Sequence, residues 1–228
     1  MPTLARREAA AGARAALPIL LGVAPFGLVT GVAMVAGGIP PAAAMAMSLL
    51  VYAGASMLAA TQLLATEAPV VAVLATALVI NLRFMMYSAS VRRQFAALPL
   101  RWKLAAGYLL ADNAYGLSIA RFTEQPQRAG NVAYYFGVAL AVWGTWQLAV
   151  ALGIVLGAGL PAAWRLEFAA PLAFIALSVP LLRDRAMVAA ALAAGITAVL
   201  AWPLPMRLGL AAAALVGLAA GLAMRRRT

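Results

Sequence analysis

Apolar residues run along this chain in long blocks, and the polar residues gather in the short stretches between them. Eight blocks stand out, at about 17–37, 42–66, 68–90, 102–120, 131–159, 168–182, 186–202 and 206–224. Several have the roughly 20 apolar residues that a helix needs to cross ~30 Å of hydrocarbon. The pattern predicts an all-α polytopic membrane protein. The connections are short, so residues 1–228 form a single integral membrane domain with no soluble appendage. The first block carries Pro18 and Pro25 and leads directly into further blocks, which is not the pattern of a cleaved signal peptide.

Composition agrees with the pattern. The chain is 66% hydrophobic and 10% charged, too few polar residues to cover the surface of a water-soluble domain of this size. The net charge of +11 raises the question of nucleic acid. Position answers it, because the basic residues cluster at block ends: Arg6, Arg7 and Arg14; Arg92, Arg93, Arg101 and Lys103; Arg183 and Arg185; Arg225 to Arg227. None lies along a face with interleaved aromatics, so these clusters read as the positive-inside rule, with no nucleic-acid partner. With no Cys and no His, thiol chemistry, thiolate metal sites and the commonest proton shuttle are all missing.

The basic clusters also test topology. If all eight blocks span, the loop 91–103, with four basic residues and no acid, falls outside. If 42–66 and 168–182 instead enter and leave on one side, that loop, 183–185 and both termini fall inside, and 121–128 falls outside. The expected fold therefore has about six full spans plus two broken or re-entrant segments, with eight plain spans as the alternative. Each exceptional segment has a reason to break. Tyr52-Ala53-Gly54-Ala55-Ser56 permits unwinding at the middle of the first, and Pro171 and Pro180 remove helix bonds in the second. A short echo, Gly38-Ile39-Pro40-Pro41-Ala42 against Gly159-Leu160-Pro161-Ala162-Ala163, precedes the two segments. It suggests an inverted repeat of halves 1–125 and 126–228, and paired broken helices in such repeats meet at transporter binding sites.

Three runs then carry a resemblance. Val51-Tyr52-Ala53-Gly54-Ala55-Ser56-Met57-Leu58-Ala59-Ala60, Asn81-Leu82-Arg83-Phe84-Met85-Met86-Tyr87-Ser88-Ala89-Ser90 followed by Asp112-Asn113-Ala114-Tyr115, and Pro171-Leu172-Ala173-Phe174-Ile175-Ala176-Leu177 resemble the AzlC-type large subunits of branched-chain amino acid exporters. The resemblance covers about 17–185. It implies a bacterial inner-membrane secondary transporter that exports hydrophobic amino acids with a small hydrophobic AzlD-type subunit, without a cofactor. The sequence departs from the family pattern at Met57, Phe84 and Asn113, where the family often has Gln, His and an acid.

The polar residues within the blocks supply the candidate site. Tyr52, Gly54, Ala55, Ser56, Gln62, Asn81 and Pro171 are the candidate substrate-binding residues, with half-helix N-termini beside Gly54 suited to a carboxylate. Asp112, Arg83, Asn113 and Tyr115 are the candidates for ion coupling. Asp112 is expected near the centre of the 102–120 span, with Tyr108, Tyr115 and Gly116 on its face. It reads either as a proton acceptor or amine-binding carboxylate, or as the structural partner of Arg83. Arg83 can equally snorkel to the interface, and Asn81 can equally serve helix packing. Gly27–Gly31, Gly153–Gly157 and Gly217–Gly221 have the spacing of close helix contacts, and Trp143, Trp146 and Gln147 read mainly as packing. Scattered acids and the missing Cys and His argue against an enzyme. A passive channel, an ABC-type permease subunit and an assembly subunit are the competing classes.

Overall fold

A computed structural model describes residues 2–159, 184–201 and 208–225. All regular structure among them is helical: α1 (Pro2–Ala36), α2 (Pro41–Val51), α3 (Gly54–Ala65), α4 (Val70–Phe95), α5 (Leu100–Tyr108), α6 (Asp112–Glu124), α7 (Asn131–Ala158), α8 (Arg185–Leu200) and α9 (Leu208–Arg225). The expected broken segment 168–182, including Pro171, lies outside the described residues. The chain divides into two compact units, residues 1–176 and 177–228.

Prolines set several helix starts. Pro40, Pro69 and Pro99 stand at the N-caps of α2, α4 and α5, where a missing N–H costs nothing and the fixed φ suits a helix start. Arg92 and Arg93 close the last turn of α4, where cations complement the helix dipole.

In the first unit α1, α4 and α7 are long and apolar enough to cross a membrane. Helices α1 and α7 run parallel in close contact. Gly12 meets Tyr134 and Val138, Gly27 meets Trp146 and Ala149, Gly31 meets Val150 and Ile154, and Gly157 meets Val32. The expected packing role of Gly27–Gly31 and Gly153–Gly157 is the observed one, with small residues letting two backbones touch. Helix α4 turns an apolar face outward through Leu74, Leu78, Leu82, Met85 and Met86, as lipid exposure requires.

The remaining four helices form two hairpins that stop halfway. Helix α2 starts where α1 ends and runs back beside α7, with Ser48 reaching Trp146 and Gln147. The chain breaks at Tyr52–Ala53. Helix α3 then returns, from Gly54 beside Phe26 and Trp146 to Thr61 beside Gly37 at the end of α1. Segment 42–66 thus enters and leaves at one end of the bundle.

Segment 102–120 does the same from the other end, which corrects the expectation of a span. Helix α5 climbs beside α7, placing Trp102 against Phe136, Tyr135 OH on Ala106 O and Trp143 on Tyr108. The chain breaks at Leu109–Ala111, and α6 descends along α4, with Tyr87 bonded to Asp112 and Ser90 to Tyr115. The loop after α6 consequently lies at the same end as the N-terminus, where Arg121 and Arg128 pair with buried Glu8. Gln94 donates to Pro126 O there at 2.9 Å. The expected placement of 121–128 opposite the N-terminus fails because 102–120 returns instead of crossing. Arg6, Arg7, Arg92, Arg93, Arg121 and Arg128 all gather at one end.

The second unit is an antiparallel pair. The Asp184 carboxylate caps α8 by accepting from Met187 N at 2.7 Å, and Gly217 and Gly221 of α9 pack on Ala190 and Ala194 of α8.

Candidate functional site

The tips of the two hairpins meet midway along the long helices. Tyr52 and Tyr108 face each other with ring centroids 5.9 Å apart, and Tyr108 OH donates to Leu49 O at 2.6 Å while accepting from Trp143 Nε1 at 3.0 Å. On the α2 side, Ser48 Oγ accepts from Trp146 Nε1 and donates to Gln147 Oε1, and Gln147 Nε2 donates to Ser48 O. The polar groups of α7 therefore hold the last turn of α2 just before the break. This gives Trp143, Trp146 and Gln147 a specific packing role.

Each tip exposes a half-helix N-terminus. The N-caps Ala53 and Ala111 have no side chain to accept from the first N–H groups of α3 and α6. Four N–H groups at each such end have no partner within their own helix, and the dipole there favours an anion. Helix α6 carries its own anion, since Asp112 is its first residue. Helix α3 begins with the uncharged Gly54, Ala55 and Ser56.

Asp112 is thus not the mid-span residue expected from the sequence but sits directly after a break. Its Oδ2 is 3.1 Å from Arg83 Nη1, and its Oδ1 accepts from Tyr87 OH at 2.9 Å. Arg83 lies midway along α4, about 18 Å from the end of that helix. It pairs with Asp112 rather than snorkelling to the interface. Tyr87 stacks on Tyr115 at 4.2 Å between ring centroids, so Arg83, Tyr87, Asp112 and Tyr115 form one cluster. Tyr108 is in the other half-helix, and the Cβ position of Gly116 has no neighbour within 4 Å. Asn113 follows Asp112 in the first turn and is half-buried.

The second cluster centres on α3. Asn81 Nδ2 donates to Ser56 Oγ at 3.2 Å, and Ser56 Oγ donates to Ala53 O at 3.0 Å. Buried polar atoms of Tyr52 (OH), Asn81 (Oδ1), Gln62 (Nε2) and Arg83 (Nε) have no hydrogen-bond partner in the protein. Buried polar groups are nearly always paired, so these orphaned atoms are available to a ligand or water. These four belong to residues expected at the site, whereas a fifth such atom, Ser118 Oγ, does not. Gly54 has a different environment from the one expected, because Phe26 and Trp146 cover its Cβ position at 2.7 and 2.6 Å. Its missing side chain lets these two rings close over the break. Tyr52 adopts a left-handed conformation with φ of 46°, uncommon for an aromatic residue and a local strain held by the surrounding packing. Thr61 spends its hydroxyl on Met57 O within its own helix.

Ser48, Tyr108 and Tyr87 enter the site without having been singled out for these contacts. Tyr87 had a usable signal, four positions after Arg83 on one helix face. Ser48 and Tyr108 had none, since their partners lie on other helices.

Among known proteins, Inner membrane protein YgaZ of Escherichia coli (strain K12) is 24% identical over 150 residues, covering 65% of this chain and 61% of that protein. The chain thus matches less than two thirds of that relative's length. A protein of Archaeoglobus fulgidus described as an uncharacterized membrane protein is 28% identical over 205 residues, or 88% of each chain. No solved structure matches. The sequence profile of the AzlC protein covers residues 18–160, including both hairpins, their meeting point and the long helices that hold them, and the chain belongs to the AzlC family.

Proposed function

We propose that this membrane protein is the large subunit of an inner-membrane secondary transporter that exports branched-chain or other hydrophobic amino acids in exchange for protons. The observation that carries the reading is the pair of opposed hairpins whose uncapped half-helix N-termini meet inside the bundle, one with an acidic residue and one without. The substrate carboxylate sits at the free N-terminus of α3, on the N–H groups of Gly54, Ala55 and Ser56. Asn81 Oδ1 and Tyr52 OH accept from its ammonium group, and the apolar neighbours of the break receive its side chain. Asp112 takes up and releases the proton, with Arg83, Tyr87, Tyr115 and Asn113 setting its environment. Hairpins that enter from opposite ends give each side of the membrane its own movable closure.

A small hydrophobic AzlD-type subunit is the partner in this reading. Asp112 and Arg83 leave 42% and 32% of their side-chain surface uncovered beside the lipid-facing surface of α4. Charges at this depth are expensive against hydrocarbon, and a second subunit would shield them. The basic residues gathered at one end support a cytoplasmic side for both the N-terminus and the loop 91–103.

Transport into proteoliposomes, with and without a pH gradient and with and without the small subunit, tests the proposal across a panel of labelled amino acids. Accumulation of a hydrophobic amino acid against its gradient, driven by protons, is the expected result. Flux that only dissipates a gradient would make the paired hairpins a channel. No flux of any amino acid under any of these conditions would overturn the reading.

A further inference from the structure

A cavity runs between α4 and α5 from the tip of the α5–α6 hairpin toward the basic end of the bundle. It has a volume of about 500 Å³ and is lined by Ser88, Val91, Arg92, Phe95 and Ala96 of α4 and by Lys103, Ala106, Gly107 and Leu110 on the α5 side. Ser88, Arg92 and Ala96 repeat every four residues, so the groove follows α4 for two turns, about 12 Å. Its floor is apolar and buried, made by Val91, Phe95, Ala106 and Leu110. Two cations, Arg92 and Lys103, stand along it, and Arg93 and Arg101 are their neighbours in sequence. The chain has no acidic residue between Glu67 and Asp112. The Arg83–Tyr87–Asp112 cluster lies nearer the middle of α4, and none of its residues lines the groove.

We propose that this groove binds an anionic phospholipid, with the phosphodiester on Arg92 and Lys103 and an acyl chain along Val91, Phe95, Ala106 and Leu110. Three features select that ligand. The floor takes hydrocarbon, and the cations take a phosphate oxygen with no competing carboxylate. An amino acid fits poorly, because its ammonium group would face Arg92 and Lys103 with only the Ser88 hydroxyl as an uncharged polar partner. Basic pockets between membrane helices near the cytoplasmic interface are also where anionic headgroups bind. Bound there, the lipid pins α5 to α4 and holds the lower arm of the α5–α6 hairpin.

The full chain, purified in neutral detergent and stripped of lipid, allows a direct test by native mass spectrometry and thermal melting. Phosphatidylglycerol, phosphatidylcholine, inorganic phosphate and leucine are added separately. Phosphatidylglycerol is expected to bind and to raise the melting temperature more than phosphatidylcholine at equal concentration. Each of R92Q and K103Q should weaken phosphatidylglycerol binding about fivefold, the effect of one basic residue near an anionic headgroup. Gly107→Leu should weaken it too without lowering the lipid-free melting temperature, because nothing lies within 4 Å of a Cβ added there. Equal binding of the two lipids, or phosphatidylglycerol binding unaffected by all three substitutions, overturns the proposal. So does stabilisation by phosphate alone that matches the lipid, or stabilisation by leucine that R92Q and K103Q abolish.

Discussion

The two hairpins have the same shape but are built from different chemistry. The α2–α3 hairpin breaks at Tyr52–Ala53 next to a glycine, buries Ser48, Ser56, Met57 and Leu58, and has no charged residue in either helix. The α5–α6 hairpin breaks at Leu109–Ala111 with neither glycine nor proline at the tip, opens a helix with Asp112 and begins with Arg101 and Lys103. The first is held by packing, with Phe26 and Trp146 on Gly54 and the Ser48 network beneath. The second is held by directed polar contacts: Tyr108 to Leu49 O and Trp143, Asp112 to Arg83 and Tyr87, and Tyr135 to Ala106 O. A hairpin held by packing is intolerant of added volume. A hairpin held by polar contacts is sensitive to the loss of single oxygen atoms and, at Asp112, to the loss of a charge.

The largest test of this comparison is all-or-none. The chain has no native cysteine, so single introduced cysteines report sidedness directly. Ala96→Cys and Arg128→Cys should label from one side of the membrane and Glu67→Cys only from the other. Labelling of all three from one side would mean that the hairpins do not enter from opposite ends.

Next in size is Asp112→Asn. It removes the proposed proton-binding group and leaves Arg83 without its countercharge at mid-depth, so pH-driven accumulation should fall to background while some substrate exchange remains. Asp112→Glu, which keeps the charge, should retain partial activity. Unchanged accumulation in Asp112→Asn would reduce the pair to a structural role.

Glycine substitutions should separate the hairpins by volume. Gly54→Ala drives a methyl group into Trp146 and Phe26, and overpacking of this kind costs about 1–3 kcal/mol. Gly116→Ala meets no neighbour within 4 Å and lies within a helix, so it should stabilise by about 0.5–1 kcal/mol. Melting of the two variants in detergent checks the difference. Equal effects would remove the distinction between packed and open hairpins.

Two hydroxyl groups, one on each hairpin, give the finest test. Tyr108→Phe deletes a bond to Leu49 O and the acceptor for Trp143, which should destabilise by about 1–3 kcal/mol because partners are left unpaired. Tyr52→Phe deletes a hydroxyl with no partner in the protein, so stability should be unchanged while the KM for substrate rises. A large melting change in Tyr52→Phe with unaltered transport would place that hydroxyl outside the substrate path.

The same comparison shows how far the sequence could be read. The break at Tyr52–Ala53 was legible because Gly54 and the small residues around it mark a place where a helix can part. The break at Leu109–Ala111 was not, because Tyr-Leu-Leu-Ala reads as ordinary helix and the run around it is long enough to span. What opens it is tertiary: the Tyr108 hydroxyl bound to α2 and α7, the Asp112 carboxylate held by α4, and Tyr135 on the α5 backbone. Misreading that one segment also misplaced the loop 121–128.

The sequence by itself determined the solvent, the helical class, the helix starts at Pro40, Pro69 and Pro99, and the glycine seams. Block length, proline geometry and the cost of polar groups in lipid act locally, so they are written locally. The tertiary structure alone decided that 102–120 turns back from the end opposite to 42–66, that Asp112 stands at a helix start and that Gly54 packs against rings. Each of these depends on a partner many residues away, as with Ser48 and Gln147 or Glu8 and Arg121, and no local pattern records such a partner.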